Sequence, residues 1–433
     1  MHGSNSRWLI AAAMALVAGS GARAQRSSRD SSSHDTTKAA TQQSSSAKAG
    51  PEDATRLTIY GFAMSDFIYD FKRNNPQWFD VNRPSRLPSF DGEFGDDKRM
   101  QVGARQSKIG AKASIPTGEG RPDIKTVWEF DLFGVGADAG QTTIRPRHMY
   151  GEWGQFGAGQ TNSVFMDVDV FPNILEYWGP NGMLFFRNVM VWWRPIERPN
   201  GTRATIALER PGASGDLGVA SDRVEINNVT PRFPAPDITA EYRWGAGFGY
   251  VELAGIVRWM SWDDNLPDTL DFSGSTSGWG LALSSNWKWG RNTTFRGIGI
   301  YGAGVENYFN DAPIDVGAKL NPGHRFTPVT GEALRDFGMS TYIDHNWSSR
   351  FSSTIGYSRV DIDNSDLQAS NAFRVGQYAS TNLLWTPVPN VMMGGEFQWG
   401  QRRNKSNGFV FDDYRLQFSF KYSFSQSFGG SSR

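Results

Sequence analysis

The chain has 433 residues, with 44 Lys+Arg balanced against 44 Asp+Glu, no Cys, 48 Gly and 13% aromatic residues. Balanced charge leaves no basic footprint for nucleic acid, and the aromatic content excludes an acidic, wholly solvated chain. The absence of cysteine excludes disulfides, thiolate metal sites and cysteine nucleophiles, and suits an oxidising compartment.

In chain order, Arg7, the apolar run Trp8 to Ala18 and the small-x-small pattern Ala22-Arg23-Ala24 read as a secretory signal peptide (1–24), cleaved after Ala24. The run is too short for a spanning helix, which needs roughly 20 apolar residues, and no later segment supplies one. An exported chain without such helices can still enter a membrane by closing a sheet into a barrel. Residues 25–55 are rich in Ser, Thr and Gln, with runs Ser31-Ser32-Ser33 and Ser44-Ser45-Ser46. They bury too little to offset their ordering entropy, so a disordered periplasmic leader is expected there.

From 56 to 424 the chain reads in period two. Ile124, Trp128, Phe130 and Leu132 alternate with Lys125, Glu129 and Asp131; Ile238, Ala240, Tyr242 and Trp244 with Thr239, Glu241 and Arg243. The pattern returns at 251–259 and 279–287, and most clearly where Tyr414, Leu416, Phe418, Phe420, Tyr422 and Phe424 alternate with Arg415, Gln417, Ser419, Lys421 and Ser423. A strand sends successive side chains to opposite faces, so each segment has one apolar and one polar face. A soluble sandwich alternates too, but its turns are alike at both ends. Here short connections (116–122, 196–201, 290–292, 387–389) alternate with long polar ones (72–100, 134–143, 162–183, 211–235, 305–334). That asymmetry predicts an all-β transmembrane antiparallel β-barrel of about 16 strands with short periplasmic turns and long extracellular loops. Trp244, Trp259, Trp262, Trp287, Trp289, Trp347, Trp385 and Trp399 are expected in interfacial girdles, and 425–433 as a polar tail.

Among the long connections, 162–183 is dense in apolar residues, from Phe165 through Ile174 and Leu175 to Trp178. An extracellular surface tolerates these poorly, so this third loop is expected to fold into the lumen. Parity assigns Lys108, Arg145, Arg147, Arg243 and Arg258 to the wet wall, against Glu129 and Asp131, with Asp167 and Asp169 on the loop and Arg187 at its base. These ten are the candidate pore-lining and solute-binding residues. Rings of Lys and Arg favour anions, and Arg145 and Arg147 are expected on one face, opposite Ile144 and Tyr150. Arg105 shares parity with Ile109, so it must lie above the lipid band or follow a bulge.

An enzyme is not expected. Asp344-His345 lies beside a short turn and Asp263-Asp264 opens a long loop, so a hydrocarbon band of about 25 Å separates them. Gly297-Ile298-Gly299-Ile300-Tyr301-Gly302 matches a dinucleotide fingerprint but sits in a strand with no helix following. Asp361 to Asp366 resembles part of a calcium loop but lacks its Gly and distal Glu, so neither metal nor cofactor is expected.

Between Ala104 and Pro195 the chain resembles the DcaP-like family of outer-membrane porins. The resemblance rests on Ala104-Arg105-Gln106-Ser107-Lys108-Ile109-Gly110, on Arg145-Pro146-Arg147-His148-Met149-Tyr150-Gly151-Glu152, and on Phe165 to Asn173 continuing through Tyr177-Trp178-Gly179-Pro180-Asn181-Gly182-Met183 to Phe185-Phe186-Arg187. It implies a homotrimeric, sixteen-stranded channel in outer-membrane lipid that passes small, often anionic organic solutes such as dicarboxylates by diffusion. The alternative is a structural or receptor barrel plugged by its own loop, with little conductance.

Overall fold

A computed structural model describes residues 54–226 and 228–429 of the protein. The expected signal peptide (1–24) and nearly all of the expected leader (25–55) lie outside the described residues. The first strand, β1 (Arg56–Asp70), is followed by β2, which is broken into Arg99–Gly103 and Lys108–Ile115, then β3 (Ile124–Phe133), β4 (Thr142–Trp153), β5 (Phe156–Asn162) and β6 (Arg187–Glu197). Next come β7 (Arg203–Glu209), β8 (Asp237–Ala246, extended by Val229–Arg232), β9 (Gly249–Asp264), β10 (Gly274–Trp289) and β11 (Thr293–Ala303). The round is completed by β12 (Arg335–Asn346), β13 (Phe351–Asp363), β14 (Phe373–Trp385), β15 (Val391–Asn404) and β16 (Val410–Gly429). Neighbours pair antiparallel, and β16 returns to β1 from Arg56↔Gly429 to Asp70↔Arg415, so sixteen strands close a barrel with no free edge.

Burial runs opposite to that of a soluble protein. On β16, Tyr414, Leu416, Phe418, Phe420 and Tyr422 are 40–49% exposed while Arg415, Gln417 and Ser419 are at most 2% exposed. The apolar row meets lipid and the polar row meets the interior. Three of the largest fully buried side chains are therefore arginines, Arg105, Arg258 and Arg415. Each is held by a carboxylate: Asp80 for Arg105 at 2.6 Å, Asp237 and Asp315 for Arg258 at 3.0 Å, and Asp70 for Arg415 at 2.5 Å. The break at 104–107 in β2 turns Arg105 inward against parity, onto Asp80 and the Phe133 ring 3.9 Å away.

Two sequence expectations are corrected. The polar tail placed at 425–433 is strand as far as Gly429, because Ser425 to Gly429 pair with Tyr60 to Arg56 even though lipid no longer imposes alternation there. Trp262 is not a girdle residue: its indole donates to the Phe272 carbonyl at 2.7 Å, and it packs beneath a small sheet of extracellular segments, Gly215–Asp216, Val316–Leu320 and Val329–Ala333. Trp244, Trp287, Trp289, Trp347 and Trp385 remain exposed on the outer face.

Candidate functional site

The segment 163–186 between β5 and β6 runs against inward-facing side chains around most of the wall. Asp167 accepts from Tyr250 of β9 at 2.8 Å and Ser284 of β10 at 2.6 Å. Farther round, the Asn173 amide N–H donates to Asp344 of β12 at 3.3 Å and its carbonyl accepts from Asn382 of β14 at 2.7 Å. The amides of Leu175 and Glu176 donate to Glu396 of β15, and Gln417 of β16 donates to the Leu175 carbonyl at 3.3 Å. On the return, the Gly182 amide donates to Ser358 of β13 at 2.8 Å; a Cβ there would lie 1.9 Å from the Arg359 carbonyl oxygen, so only glycine fits. Phe165, Met166, Val170, Met183 and Leu184 join wall residues such as Ala254, Ile256, Ile298 and Ile300 in the largest apolar cluster. The loop also explains why β6 is apolar on both faces: Val189, Val191 and Trp193 face out, while Met190 and Trp192 pack on Val164 and Tyr150.

The cationic wall opposite is built on a bulge. Glu129 pairs with His148 but Phe130 pairs with Pro146, leaving Arg147 as the extra residue of β4. Both Arg145 and Arg147 reach the interior, and the parity flips beyond them. Tyr150, expected opposite the arginines, consequently lines the same interior cavity as Arg147. Arg145 clamps Asp131 through Nε at 3.0 Å and Nη2 at 2.6 Å, whereas Arg147 binds Glu129 at 2.7 Å and Asp131 at 3.0 Å. Lys108 adds a third cation, 3.2 Å from Glu129. Tyr177, from the loop, places its hydroxyl between the two arginines and Asp131, accepting from Arg147 Nη1 at 2.6 Å and donating to Asp131.

Two cavities flank this group. One of 510 Å³ is bounded by β1 to β6, β15 and β16, and carries Lys108, Lys112, Arg147, Arg187 and Lys421 against Glu129 and Glu176. The other, 350 Å³, carries Arg145, Arg187 and Arg83, which is itself paired with Asp311 at 2.8 Å, and no carboxylate in its lining. Tyr177, Phe185 and Arg187 line both and mark where they meet. Arg187 lies 4.7 Å from the Phe185 ring, its Nε has no hydrogen-bond partner, and no carboxylate stands within ion-pair distance of it among the described residues. Full burial pushes the Glu176 carboxyl up to about 8, so at neutral pH it carries little charge against these cations.

Arg243 and Arg258 do not join them, and their assignment to the solute path is corrected. Arg243 spends its fork on Asp167, Asp169 and Glu252, each at 2.6 Å, so these three carboxylates anchor the loop to β8 and β9. Arg258 is filled by Asp237, Asp315 and the carbonyls of Gly304 and Gly212. Of the sequence candidates, the structure brings together Lys108, Glu129, Asp131, Arg145, Arg147 and Arg187. Tyr177, Glu176 and Arg83 were missed. Tyr177 lay in the motif-rich segment, but Arg83 belongs to a long loop where no parity operates. The calcium-like segment has ordinary partners: Asp361 pairs with Arg359, and Asp366 accepts from the Leu320 amide.

A family model described as DcaP outer membrane protein matches residues 30–411. Among solved structures, the outer membrane channel DcaP of Acinetobacter baumannii is 21% identical, covers 87% of this chain and 100% of its own, and superposes with a TM-score of 0.70. An anion-selective porin from Comamonas acidovorans (10% identical, 86% and 100% covered, TM-score 0.52) and a trimer form of OmpT of Vibrio cholerae (11%, 86% and 100%, 0.51) share the fold. No curated protein matches.

Proposed function

The chain belongs to the DcaP outer membrane protein family, and from that premise we propose that its channel favours small organic anions, dicarboxylates among them. It is a porin of the bacterial outer membrane. The observation that carries the anion reading is the junction of the two cavities, where Arg187 has no carboxylate partner among the described residues. Arg145 and Arg147 stand on the adjoining wall with side chains 18% and 13% exposed. Lys421 and Lys112 follow, over the rings of Phe62 and Tyr60 at 5.4 and 5.8 Å. Taken together, the linings of the two cavities hold more cation than anion, and guanidinium forks match the geometry of a carboxylate. Assembly as a homotrimer belongs to the same proposal, in line with the trimer form of the similar OmpT.

Liposome swelling tests the reading. Vesicles carrying the protein should admit succinate several-fold faster than a neutral polyol of like size, by the preference that a basic lumen gives. Equal rates would overturn the anion reading, and no swelling with any solute would favour the loop-plugged barrel.

A further inference from the structure

Tyr177 stands in an unusual place for a loop tyrosine. Its oxygen accepts from Arg145 and Arg147 and donates to Asp131, so it covers lumen-facing donors that a solute carboxylate would need. The ring is held without the hydroxyl's help. It stacks on Phe133 with centroids 4.5 Å apart and planes at 19°. The chain on either side is fixed too, by the Glu176 amide on Glu396 at 3.2 Å and by the Trp178 indole on the Asn310 carbonyl at 2.6 Å. A hydroxyl that is not needed to hold the loop, set against two guanidinium groups beside the solute path, calls for another role.

We propose that Tyr177 is a built-in competitor for the solute: its hydroxyl stays on Arg145 and Arg147 and takes up donor capacity there, so an entering carboxylate binds through the guanidinium N–H groups left over and leaves readily. The inference rests on the anion reading above and deepens it. A channel must bind weakly enough to release, and two guanidinium groups with every donor not used by Asp131 and Glu129 open to the solute would hold a dicarboxylate too long. A fixed neutral hydroxyl on those donors leaves fewer of them for a charged acceptor, which would make the stronger hydrogen bonds. Asp131 keeps its bidentate clamp from Arg145 throughout, so the arginines stay in place as the solute comes and goes.

The test is succinate block of chloride current through single channels of the purified protein in planar bilayers, wild type against Tyr177→Phe. The phenylalanine keeps the ring and frees the donors, so succinate should bind roughly 10-fold more tightly and dwell longer, the size expected for one charged hydrogen bond. Unchanged or weaker binding would overturn the proposal. So would a several-fold rise in conductance, which would make the hydroxyl a latch on the loop. If Tyr177→Phe does not assemble, a single 3-fluorotyrosine at position 177 reports the same event: its fluorine resonance should move when succinate saturates the channel, and an unmoved resonance overturns the idea. Cation preference of the wild type, read in the same bilayers without succinate, would strike the anion reading itself and so is told apart from failure of the Tyr177 role.

Discussion

Neutralising Arg187 is the sharpest perturbation of the proposed solute path, because this residue lines both cavities and no carboxylate among the described residues pairs with it. In Arg187→Gln, an anion passing at about 6 Å loses an attraction of about 0.7 kcal/mol in bulk water, or about 2.8 kcal/mol at an effective dielectric of 20. Arg187 is half-buried and lines two cavities roomy enough for water, so the lower part of that range applies. The expected result is roughly a 3- to 10-fold loss of anion-over-cation permeability, each factor of ten being about 1.4 kcal/mol. The assay is the zero-current potential of the variant across a planar bilayer. Because the screening length shrinks from about 10 Å at 0.1 M to about 3 Å at 1 M, the loss should be largest in dilute salt and fade in concentrated salt. A variant with wild-type selectivity in dilute salt, or with a loss that does not fade, would refute the electrostatic reasoning.

Arg258→Gln should behave in the opposite way: it strands Asp237 and Asp315 in a buried setting, costing about 3–5 kcal/mol, so the heat-modification midpoint on gels should fall while selectivity stays put. Glu176, with its carboxyl raised from 4.5 to about 8 in the folded state, holds a proton that the unfolded chain has already lost between those values, so its effect on stability worsens as pH rises through that window. Above about pH 8 it adds a negative charge beside Glu396, opposed by Arg415, and anion preference should drop between pH 7 and 9 more in wild type than in Glu176→Gln; parallel profiles would remove Glu176 from the account. Ending the chain after Phe424 deletes the pairs that join Ser425–Gly429 to Arg56–Tyr60, so the barrel should unfold at a lower temperature on gels; wild-type heat resistance would show that this stretch of the seam is dispensable.

Strand number and inside-out burial were legible because lipid and water impose opposite demands on alternate residues, as Phe418 beside Ser419 illustrates. What parity could not reveal was who meets whom across the lumen. Arg243 and Arg147 look alike in a strand pattern, yet one is absorbed by Asp167, Asp169 and Glu252 while the other retains a face on a cavity. The bulge at Arg147 was equally invisible, since a single extra residue leaves no compositional trace but moves Tyr150 from the outer face to the inner one. Ser425 to Gly429 went unread because their pairing is backbone hydrogen bonding to β1, which does not depend on side-chain type. The motif around Tyr177 is legible in the sequence as a block, whereas the role proposed for its hydroxyl rests on the three partners that meet it.

The proposed control of passage by Arg187 at the cavity junction and by Lys112 and Lys421 in the larger cavity is open to direct measurement. Its most direct test is the zero-current potential of the wild-type channel under a tenfold KCl gradient, roughly 0.1 M against 1 M, with no organic solute present. The unmatched charge of Arg187, Lys112 and Lys421 predicts a potential with the sign of chloride selectivity. A potential of the opposite sign would contradict it.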